Sequence, residues 1–478
     1  MKTEPTINVG ILSAEKIEFV LNGNFVSSNG KCYSGSQLAV FENDKILFDG
    51  EYTTEVVVEP VLDNASFDLI DVVIGINFHW ERKENQRFNG SLKIIVENEA
   101  LTAINRIKVE DYLTSVISSE MSATASPELL KAHAVISRSW LLCPLQVPRL
   151  KSQKQSRMLQ VTSYKLLDAK PETRNTEPET RNTEPETLNP KPKTRNTEHG
   201  TRNLKHIKWY ERDAHTHFDV CADDHCQRYQ GITRASTVAV ATAIKATRGE
   251  MLMYNDKICD ARYSKSCGGV SETFENCWAV EHYPYLTPVI DNHPGIQVLA
   301  LNLTQEENAQ QWIRQSPEAF CNTTDKQILS QVLNNYDQET TDFYRWKIEY
   351  TQAEISELLA RRSGIDFGEI IDLIPVLRGE SARLIELKIV GTKQTITVGK
   401  ELEIRKWLSN SHLYSSAFVV DKSEIINNIP QHFTLIGAGW GHGVGLCQIG
   451  AAVMGEKGYK YNEILLHYFK GAQLQKMY

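Results

Sequence analysis

Residues 109–143 have the sequence VEDYLTSVISSEMSATASPELLKAHAVISRSWLLC, which predicts two helices separated by a short polar turn. The apolar positions of the first helix follow i, i+3, i+4 spacing: Leu113, Val116, Ile117 and Met121. Glu120 lies on the same stripe. A carboxylate there is costly to ionise, because an apolar environment disfavours the charged form, and a general acid needs this property near neutral pH. The alternative is that Glu120 reaches solvent or pairs with Arg138 or Lys131.

The second helix has a clear start at Ser126-Pro127-Glu128, with a hydroxyl N-cap, proline at the first helical position and an acid at the positive end. Residues 129–142 are apolar on more than one face, which predicts a mostly buried helix. Glu120 is therefore expected at a helix–turn–helix corner, where its rigid backbone would let it face a cleft.

Composition narrows the function classes. The chain has 478 residues, of which 41% are hydrophobic and 23% charged, typical of globular protein with two to four domains. A net charge of −8 gives no reason to expect a nucleic acid or an anionic membrane as partner. The sequence has no run of 18 apolar residues, so no transmembrane segment is expected. Residues 1–10 lack the apolar run of a secretory signal, so the sequence as written predicts no export.

Segments 171–177 and 178–184 both have the sequence PETRNTE, and the repeat then degenerates. Proline at each repeat start forbids a continuous helix, and so polar a composition cannot form a core. Residues 144–205 are therefore predicted to be a disordered insertion.

The predicted fold class is α+β, with a β-rich N-terminal region leading into a mixed α/β catalytic domain. The expected organisation is residues 1–104 as the β-rich region, 105–143 and 206–295 as core segments, 296–430 as a mixed α/β subdomain, and 431–478 as a glycine-rich site loop and helix completing the core.

Residues 215–226, HTHFDVCADDHC, concentrate potential metal ligands. Thiolate and imidazole are the ligands that tetrahedral zinc prefers, and the Cys-x4-Cys spacing suits a ligand pair. Cys221 and Cys226 are the predicted pair, with His215 or His217 third and His225 a weaker candidate. Water or Cys267 could be the fourth ligand. The alternative is two buried free cysteines in a polar turn.

Residues 437–450, GAGWGHGVGLCQIG, contain six glycines and predict a bare loop that presents His442 as a site residue. No Lys-Ser/Thr pair follows, so the loop does not fit a phosphate-binding motif. Residues 263–269, YSKSCGG, form a second small loop that supplies hydroxyls. The aromatic residues after it have the spacing of a sugar-stacking surface, although packing is the commoner role: Trp278, Tyr283 and Tyr285.

Together these blocks resemble the SpoIID/LytB family of bacterial cell-wall proteins, most closely its Bacteroidetes-type members. The matching blocks are VEDYL at 109–113, SEM at 119–121, LKAHAVISR at 130–138, FDVC at 218–221, CQRY at 226–229, ARYSKSCGG at 261–269, PYL at 284–286 and GWGHGVGLCQ at 439–448. They spread over residues 105–478, outside the insertion.

The resemblance implies a peptidoglycan lytic transglycosylase, because members of the sporulation branch have this activity and use the acid of the Glu-Met pair, here Glu120. It also implies a structural zinc held by Cys221, Cys226 and a nearby histidine. Peptidoglycan glycan strands would be the substrate, and sugar binding is assigned as a hypothesis to His442, Gln448, Tyr229, Ser264, Arg138 and Trp440.

Two other functions stay open. LytB-like members imply a non-catalytic peptidoglycan binder that activates a cell-wall amidase, and the metal segment allows zinc-dependent amide hydrolysis.

Overall fold

The computed structural model describes residues 3–75, 81–122, 125–144, 204–210, 215–223, 225–233, 237–293, 301–332 and 340–478. They contain both helices and several sheets, which confirms the predicted α+β class. The predicted insertion, residues 144–205, lies outside the described residues except for Pro144 and Leu204–Lys205. Leu204 and Lys205 belong to a strand, so these two residues of the predicted insertion are ordered.

The strands are β1 (Thr6–Ala14), β2 (Lys16–Ser27), β3 (Cys32–Glu42), β4 (Lys45–Phe48), β5 (Glu51–Thr53), β6 (Glu55–Pro60), β7 (Ser66–Ile74), β8 (Arg82–Asn89), β9 (Ser91–Glu97), β10 (Ala100–Lys108), β11 (Leu204–Ile207), β12 (Val220–Cys221), β13 (Glu250–Tyr254), β14 (Lys257–Ile258), β15 (Tyr263–Ser264), β16 (Arg345–Thr351), β17 (Ile370–Arg378), β18 (Leu384–Gly391), β19 (Thr395–Gly399), β20 (Phe418–Ile426), β21 (Ile429–Ala438), β22 (Leu446–Cys447) and β23 (Gln473–Lys476). The helices are α1 (Val109–Glu120), α2 (Pro127–Leu142), α3 (Val238–Ala246), α4 (Phe274–Cys277), α5 (Glu306–Gln315), α6 (Lys326–Val332), α7 (Gln352–Ser363), α8 (Glu401–Trp407), α9 (Gln448–Glu456) and α10 (Tyr461–Tyr468).

The N-terminal strands form one large sheet in the order β12-β1-β10-β9-β6-β2-β3-β4-β5, with β7 on β2 and β8 on β7. Tight hairpins set its registers. Asn43-Asp44 and Asn98-Glu99 have positive φ at both residues, as a two-residue type I′ turn requires. They join β3 to β4 and β9 to β10. The sheet confirms the predicted β-rich N-terminal region.

Helix α1 follows β10 without a break, and α2 begins at its predicted N-cap. The Ser126 Oγ accepts a hydrogen bond from the Leu129 N–H at 3.4 Å. The corner between the helices is held by Gln331 of α6, whose backbone oxygen accepts from Ser122 N and whose side-chain oxygen accepts from Ser126 N, both at 3.0 Å. Helix α2 is buried on nearly every face, as predicted.

The C-terminal half contains four smaller sheets, ordered β11-β19-β18-β17, β14-β13-β23, β15-β22 and β16-β21-β20. The largest hydrophobic cluster joins the N-terminal sheet, α1, α2, α9 and α10. A separate cluster fills the space between α7, α8 and sheets β16-β21-β20 and β17–β19. Among the described residues, no helix is both long and apolar enough to cross a bilayer.

Candidate functional site

Glu120 is the last residue of α1 and is half-buried. Its Oε1 accepts a hydrogen bond from the backbone N–H of Arg228 at 3.3 Å. Arg228 follows the predicted metal segment by two residues. The structure therefore places the predicted acid against the loop that carries the predicted metal ligands.

The metal segment is fastened to the N-terminal sheet. Strand β12 pairs in parallel with Val9–Gly10 of β1, and the Asp219 carboxylate accepts from the Asn8 N–H at 2.8 Å. A Cβ on Gly10 would lie 2.6 Å from the ring of Phe218, so glycine is what allows this close approach. Backbone pairing and a side-chain hydrogen bond thus join residues 219–221 to the N-terminal sheet.

Residues 227–230 then fasten the segment to the first helices. The Gln230 N–H donates to the Ser115 Oγ of α1 at 3.2 Å. The Gln227 side-chain amide donates to the Ser137 carbonyl of α2 at 3.4 Å. The path of the chain past Glu120 is thus fixed on both sides.

Four side chains of the segment form a cluster with metal-ligand chemistry. The ligand atoms of His215, Cys221, His225 and Cys226 all lie within 4.8 Å of one another. The His215 Nε2 lies 3.4 Å from the Cys226 Sγ, and the His225 Nδ1 lies 3.5 Å from the same sulfur. Two imidazoles and two thiols are a donor set that suits tetrahedral zinc. Hydrogen bonding from Cys226 holds the pKa of the Cys221 thiol well below its usual range, against the effect of burial.

The cluster differs from the predicted ligand set in two members. His225 belongs to it, whereas the exposed His217 points to Glu97, with 3.9 Å between its Nε2 and the carboxylate. Cys267 does not join this cluster but lies in a second one with Asp291, Cys321 and Cys447. Chain spacing allows either His217 or His225 as a ligand. The structure places His225, and not His217, near Cys221.

His442 lies in the glycine-rich loop, as predicted, and is half-buried. Its ring meets the Trp278 ring edge to face with centroids 4.5 Å apart, and its Nδ1 accepts from the Val444 N–H at 3.0 Å. The guanidinium of Arg262 lies 4.4 Å from the centre of the Trp278 ring. Burial, together with the charges of Arg262 and Arg383, lowers the pKa of His442, so its imidazole is neutral at neutral pH.

Gln448 contacts α2 from the start of α9. Its side-chain nitrogen lies 3.1 Å from the Nε2 of His133, and the His133 Nδ1 lies 3.2 Å from the Ser137 Oγ. All three residues are buried. Burial lowers the pKa of His133 to about 3, so this ring is neutral and can accept from Gln448 while donating to Ser137.

Two other predicted sugar-binding residues lie in the core. Arg138 is fully buried and makes a two-pronged contact with the Glu110 carboxylate, 3.1 Å from Nε to Oε1 and 2.7 Å from Nη2 to Oε2. Tyr229 is 1% exposed and donates to the Asn105 side chain at 2.6 Å. The polar groups of both residues are thus engaged inside the protein, although Tyr229 also lines the cavity beside the metal segment.

Ser264 lies on the 263–269 loop, and Trp440 lies on the 437–450 loop that also carries His442. The Ser264 Oγ is buried and has no hydrogen-bond partner in the described part of the chain. Trp440 is half-buried between the rings of Phe343 and Tyr414, with centroids at 4.6 and 4.2 Å, and bridges to Ser266 through backbone hydrogen bonds. The 263–269 and 437–450 loops therefore lie side by side.

The residue that joins these loops was not predicted. The buried guanidinium of Arg383 donates to the carbonyl of Gly441 at 3.0 Å and to the carbonyl of Cys267 at 3.0 Å. Its partner Ser381 donates to the fully buried Glu272 carboxylate at 2.7 Å. The surrounding sequence resembles an ordinary turn, and no local signal marks these residues.

A cavity of about 270 Å³ opens beside the metal segment, lined by residues of β1, β7 and β8 and by Cys221, Arg228 and Gln230. Gln86 lines it with both side-chain amide atoms buried and without a hydrogen-bond partner in the described residues. The side-chain oxygen of Gln230 is in the same state. Buried polar atoms normally have partners, so this cavity is a candidate ligand site.

Parts of this chain are similar in sequence to known protein families and to individual proteins. The model of the family described as stage II sporulation protein, SpoIID, matches residues 97–188 and 195–254, and a domain of unknown function, DUF8618, matches residues 272–445. A Bacillus subtilis protein named amidase enhancer is 24% identical over 246 residues, which cover 48% of this chain and 32% of the relative. The chain thus spans about a third of that relative's length. An uncharacterized protein of Brachyspira hyodysenteriae is 22% identical over 387 residues, covering 81% of this chain and 72% of the relative.

The SpoIID match contains Glu120 and all four members of the His215–Cys226 cluster. The similarity to the relative named amidase enhancer agrees with the LytB resemblance inferred from the motifs. Residues 97–254 are therefore similar to the SpoIID family, in agreement with the resemblance of the motifs to SpoIID/LytB proteins.

Proposed function

We propose that this chain is a peptidoglycan lytic transglycosylase in which Glu120 is the general acid and then the general base. The observation that carries the proposal is the position of Glu120, a half-buried carboxylate at a rigid helix corner, fixed by Arg228 beside the metal segment. The SpoIID match and the relative named amidase enhancer support a role at the bacterial cell wall.

The proposed reaction needs one carboxylate. Protonated Glu120 donates its proton to the glycosidic oxygen as the bond from the anomeric carbon of the muramic acid residue breaks. The resulting carboxylate removes the proton from the 6-hydroxyl of the same sugar, and that oxygen bonds to the anomeric carbon to give a 1,6-anhydro product. Glycoside hydrolysis uses a second carboxylate as base or nucleophile. Here no water is added, so none is required.

The local structure suits this role. Glu120 lies at the C-terminal end of α1, where the exposed carbonyls form the negative pole of the helix and disfavour a further negative charge. The turn that follows is held by Gln331. A positioned acid on rigid elements contributes about 10²–10⁴-fold to a rate.

Two regions could bind the glycan. The cavity next to Arg228 is lined by Gln86 and Gln230, whose side-chain amides are of a type that binds sugar hydroxyl and acetamido groups. The loop carrying His442 and Trp440 offers half-buried rings and a neutral imidazole. Ser264 and Gln448 are buried residues of the two glycine-containing loops, 263–269 and 437–450, that form this second region.

The cluster of His215, Cys221, His225 and Cys226 fits zinc with four protein ligands. Such a closed site is structural, because a catalytic zinc keeps a position for water or substrate. It would hold in place the loop that carries Arg228. This donor set therefore argues against zinc-dependent amide hydrolysis.

The test is the variant Glu120→Gln, which keeps the shape but cannot exchange a proton. We expect release of anhydro-muropeptides from purified peptidoglycan to fall about 10²–10⁴-fold at unchanged melting temperature. The matched control is Asp111→Asn, which alters an exposed carboxylate of the same helix and should leave product release unchanged. Product release by Glu120→Gln at the wild-type rate would disprove the catalytic assignment.

A second function is favoured by the relative named amidase enhancer: a peptidoglycan binder that activates a cell-wall amidase. Under this proposal the purified protein releases no anhydro product yet increases the rate of a wall amidase, and Glu120→Gln increases it equally. Measuring both products in one reaction separates the two functions, because the bonds that are cut differ.

A further inference from the structure

A second cluster of metal-ligand chemistry lies in the core, apart from the cluster of the 215–226 segment. The ligand atoms of Cys267, Asp291, Cys321 and Cys447 all lie within 4.8 Å of one another. All four residues are buried, with exposures of 0 to 2%. They come from four separate loops and strands of the chain, so the fold itself, and not a local turn, brings three thiols and a carboxylate together.

The distances suit one tetrahedral ion. The Sγ atoms of Cys267 and Cys321 are 3.7 Å apart. Two sulfurs bound to a tetrahedral zinc at about 2.3 Å are about 3.8 Å apart. A disulfide requires about 2.05 Å, so Cys267 and Cys321 are not joined by one. Four ligand atoms within 4.8 Å of one another also fit around a single ion. The observed separation therefore favours a mononuclear site.

Neighbouring groups form hydrogen bonds with the proposed ligands and so orient them, as is common around metal ions in proteins. The Asp291 carboxylate accepts from the Tyr468 hydroxyl at 2.6 Å and from the Cys321 N–H at 2.9 Å. The Cys447 sulfur accepts from the Cys267 N–H at 3.2 Å. Such hydrogen bonds fix ligand direction and offset part of the negative charge of thiolate ligands.

A buried carboxyl group among thiols stays ionised only with a compensating cation beside it. The half-buried Arg345 donates to the Gly268 carbonyl at 3.1 Å, but its other donors go to carbonyls of residues 312, 313 and 344. A divalent ion would neutralise two charges directly within the cluster.

We propose that Cys267, Asp291, Cys321 and Cys447 bind a structural zinc ion, with the thiol protons released to solvent on binding. The position of this ion would have a clear consequence for the fold. Cys267 and Cys447 lie just outside the two ends of the DUF8618 match, residues 272–445, whereas Asp291 and Cys321 lie inside it. The ion would link the chain segments at the two ends of that region. It would thereby hold together the two glycine-containing loops, residues 263–269 and 437–450.

Metal analysis of the full-length protein, purified under reducing conditions, tests the proposal. We expect two zinc ions per chain in the wild type. The double variant Cys221→Ala/Cys226→Ala should keep one, and Cys267→Ala/Cys321→Ala should lose one. Cys259→Ala is the control, since it removes a fully buried thiol outside both clusters, and should keep two.

A second measurement avoids dependence on variants of the buried cluster, which could fail to fold. Cys221→Ala/Cys226→Ala is loaded with Co²⁺, and its thiolate-to-cobalt charge-transfer absorption is measured. Three thiolates at a tetrahedral site should give a strong band and intense visible d–d absorption. Absence of both bands, absence of zinc from this variant, or a disulfide between any two of Cys267, Cys321 and Cys447 in the purified protein would overturn the proposal.

Discussion

At the scale of single residues, the glycines of the 437–450 loop are fixed by what lies against them. Gly445 has φ +74°, and a Cβ there would lie 2.1 Å from the carbonyl oxygen of Arg262. That oxygen cannot easily move, because it accepts a hydrogen bond from the Leu446 N–H at 3.0 Å. The loop can therefore approach the Tyr263–Ser264 strand only where no side chain intervenes.

Gly445→Ala should accordingly be much more destabilising than an alanine at a glycine with similar φ but open space. Gly458 is that control, since its φ is +88° and nothing lies within 4 Å of a Cβ. We expect Gly458→Ala to cost about 1–2 kcal/mol from φ alone. Gly445→Ala should cost a further ~1–3 kcal/mol or more from overpacking. Equal losses in urea denaturation would show that the close approach is unimportant.

The site residues also show what the sequence could predict. Glu120, Cys221 and Cys226 were predicted from helical spacing and local clustering, because both signals are local. His225 was ranked below His217, since spacing alone cannot show the direction of a side chain in a turn. Arg383 went unnoticed because its partners are loops more than 50 residues away in the chain.

At the scale of elements, prediction succeeds where the signals are local and periodic. Helix α2 begins after its predicted N-cap, Ser126, and is buried as its apolar sequence predicts. No sequence signal marks strand β8, because Phe88 is its only apolar residue and no alternation is visible. Its pairing with β7 makes it a strand.

Helices α1 and α2 are joined by the buried pair of Glu110 and Arg138, and this contact leads to a prediction. Glu110 also accepts from the Tyr478 hydroxyl at 2.7 Å and from the Gly249 N–H at 3.1 Å. Arg138→Ala would leave the Glu110 carboxylate buried without a counter-charge, so we expect a loss of about 3–5 kcal/mol in the free energy of unfolding. The measurement is urea denaturation followed by circular dichroism.

The control for this prediction is Lys347→Ala, which removes an exposed cation from its pair with Glu349. It should leave the free energy of unfolding nearly unchanged, because exposed ion pairs contribute little. A double variant Glu110→Gln/Arg138→Ala should recover part of the loss, since no buried charge remains. If Arg138→Ala behaves like Lys347→Ala, the pair does not stabilise the helix corner.

At the scale of the whole molecule, the fold keeps several histidines neutral. Burial lowers the pKa of His133 to about 3, and it lowers the pKa values of His412 and His467 to about 4. In the unfolded chain each would titrate near its ordinary value of about 6.5. The unfolded state therefore binds more protons below that pH, and stability falls as the solution is acidified.

The last prediction concerns His133, whose ring contacts Gln448, a residue predicted to bind sugar. Its contribution should be fully present above pH ~6.5 and decline towards pH 3, by up to about 1.4 kcal/mol per pH unit. In His133→Gln, which cannot titrate but retains hydrogen-bonding groups, the free energy of unfolding should decline less steeply between pH 6.5 and 4. His282→Gln, at an exposed histidine, should keep the wild-type slope. Parallel slopes for the wild type and both variants would mean that His133 is protonated in the folded protein, and its neutral hydrogen bond to Gln448 could then not hold α9 against α2.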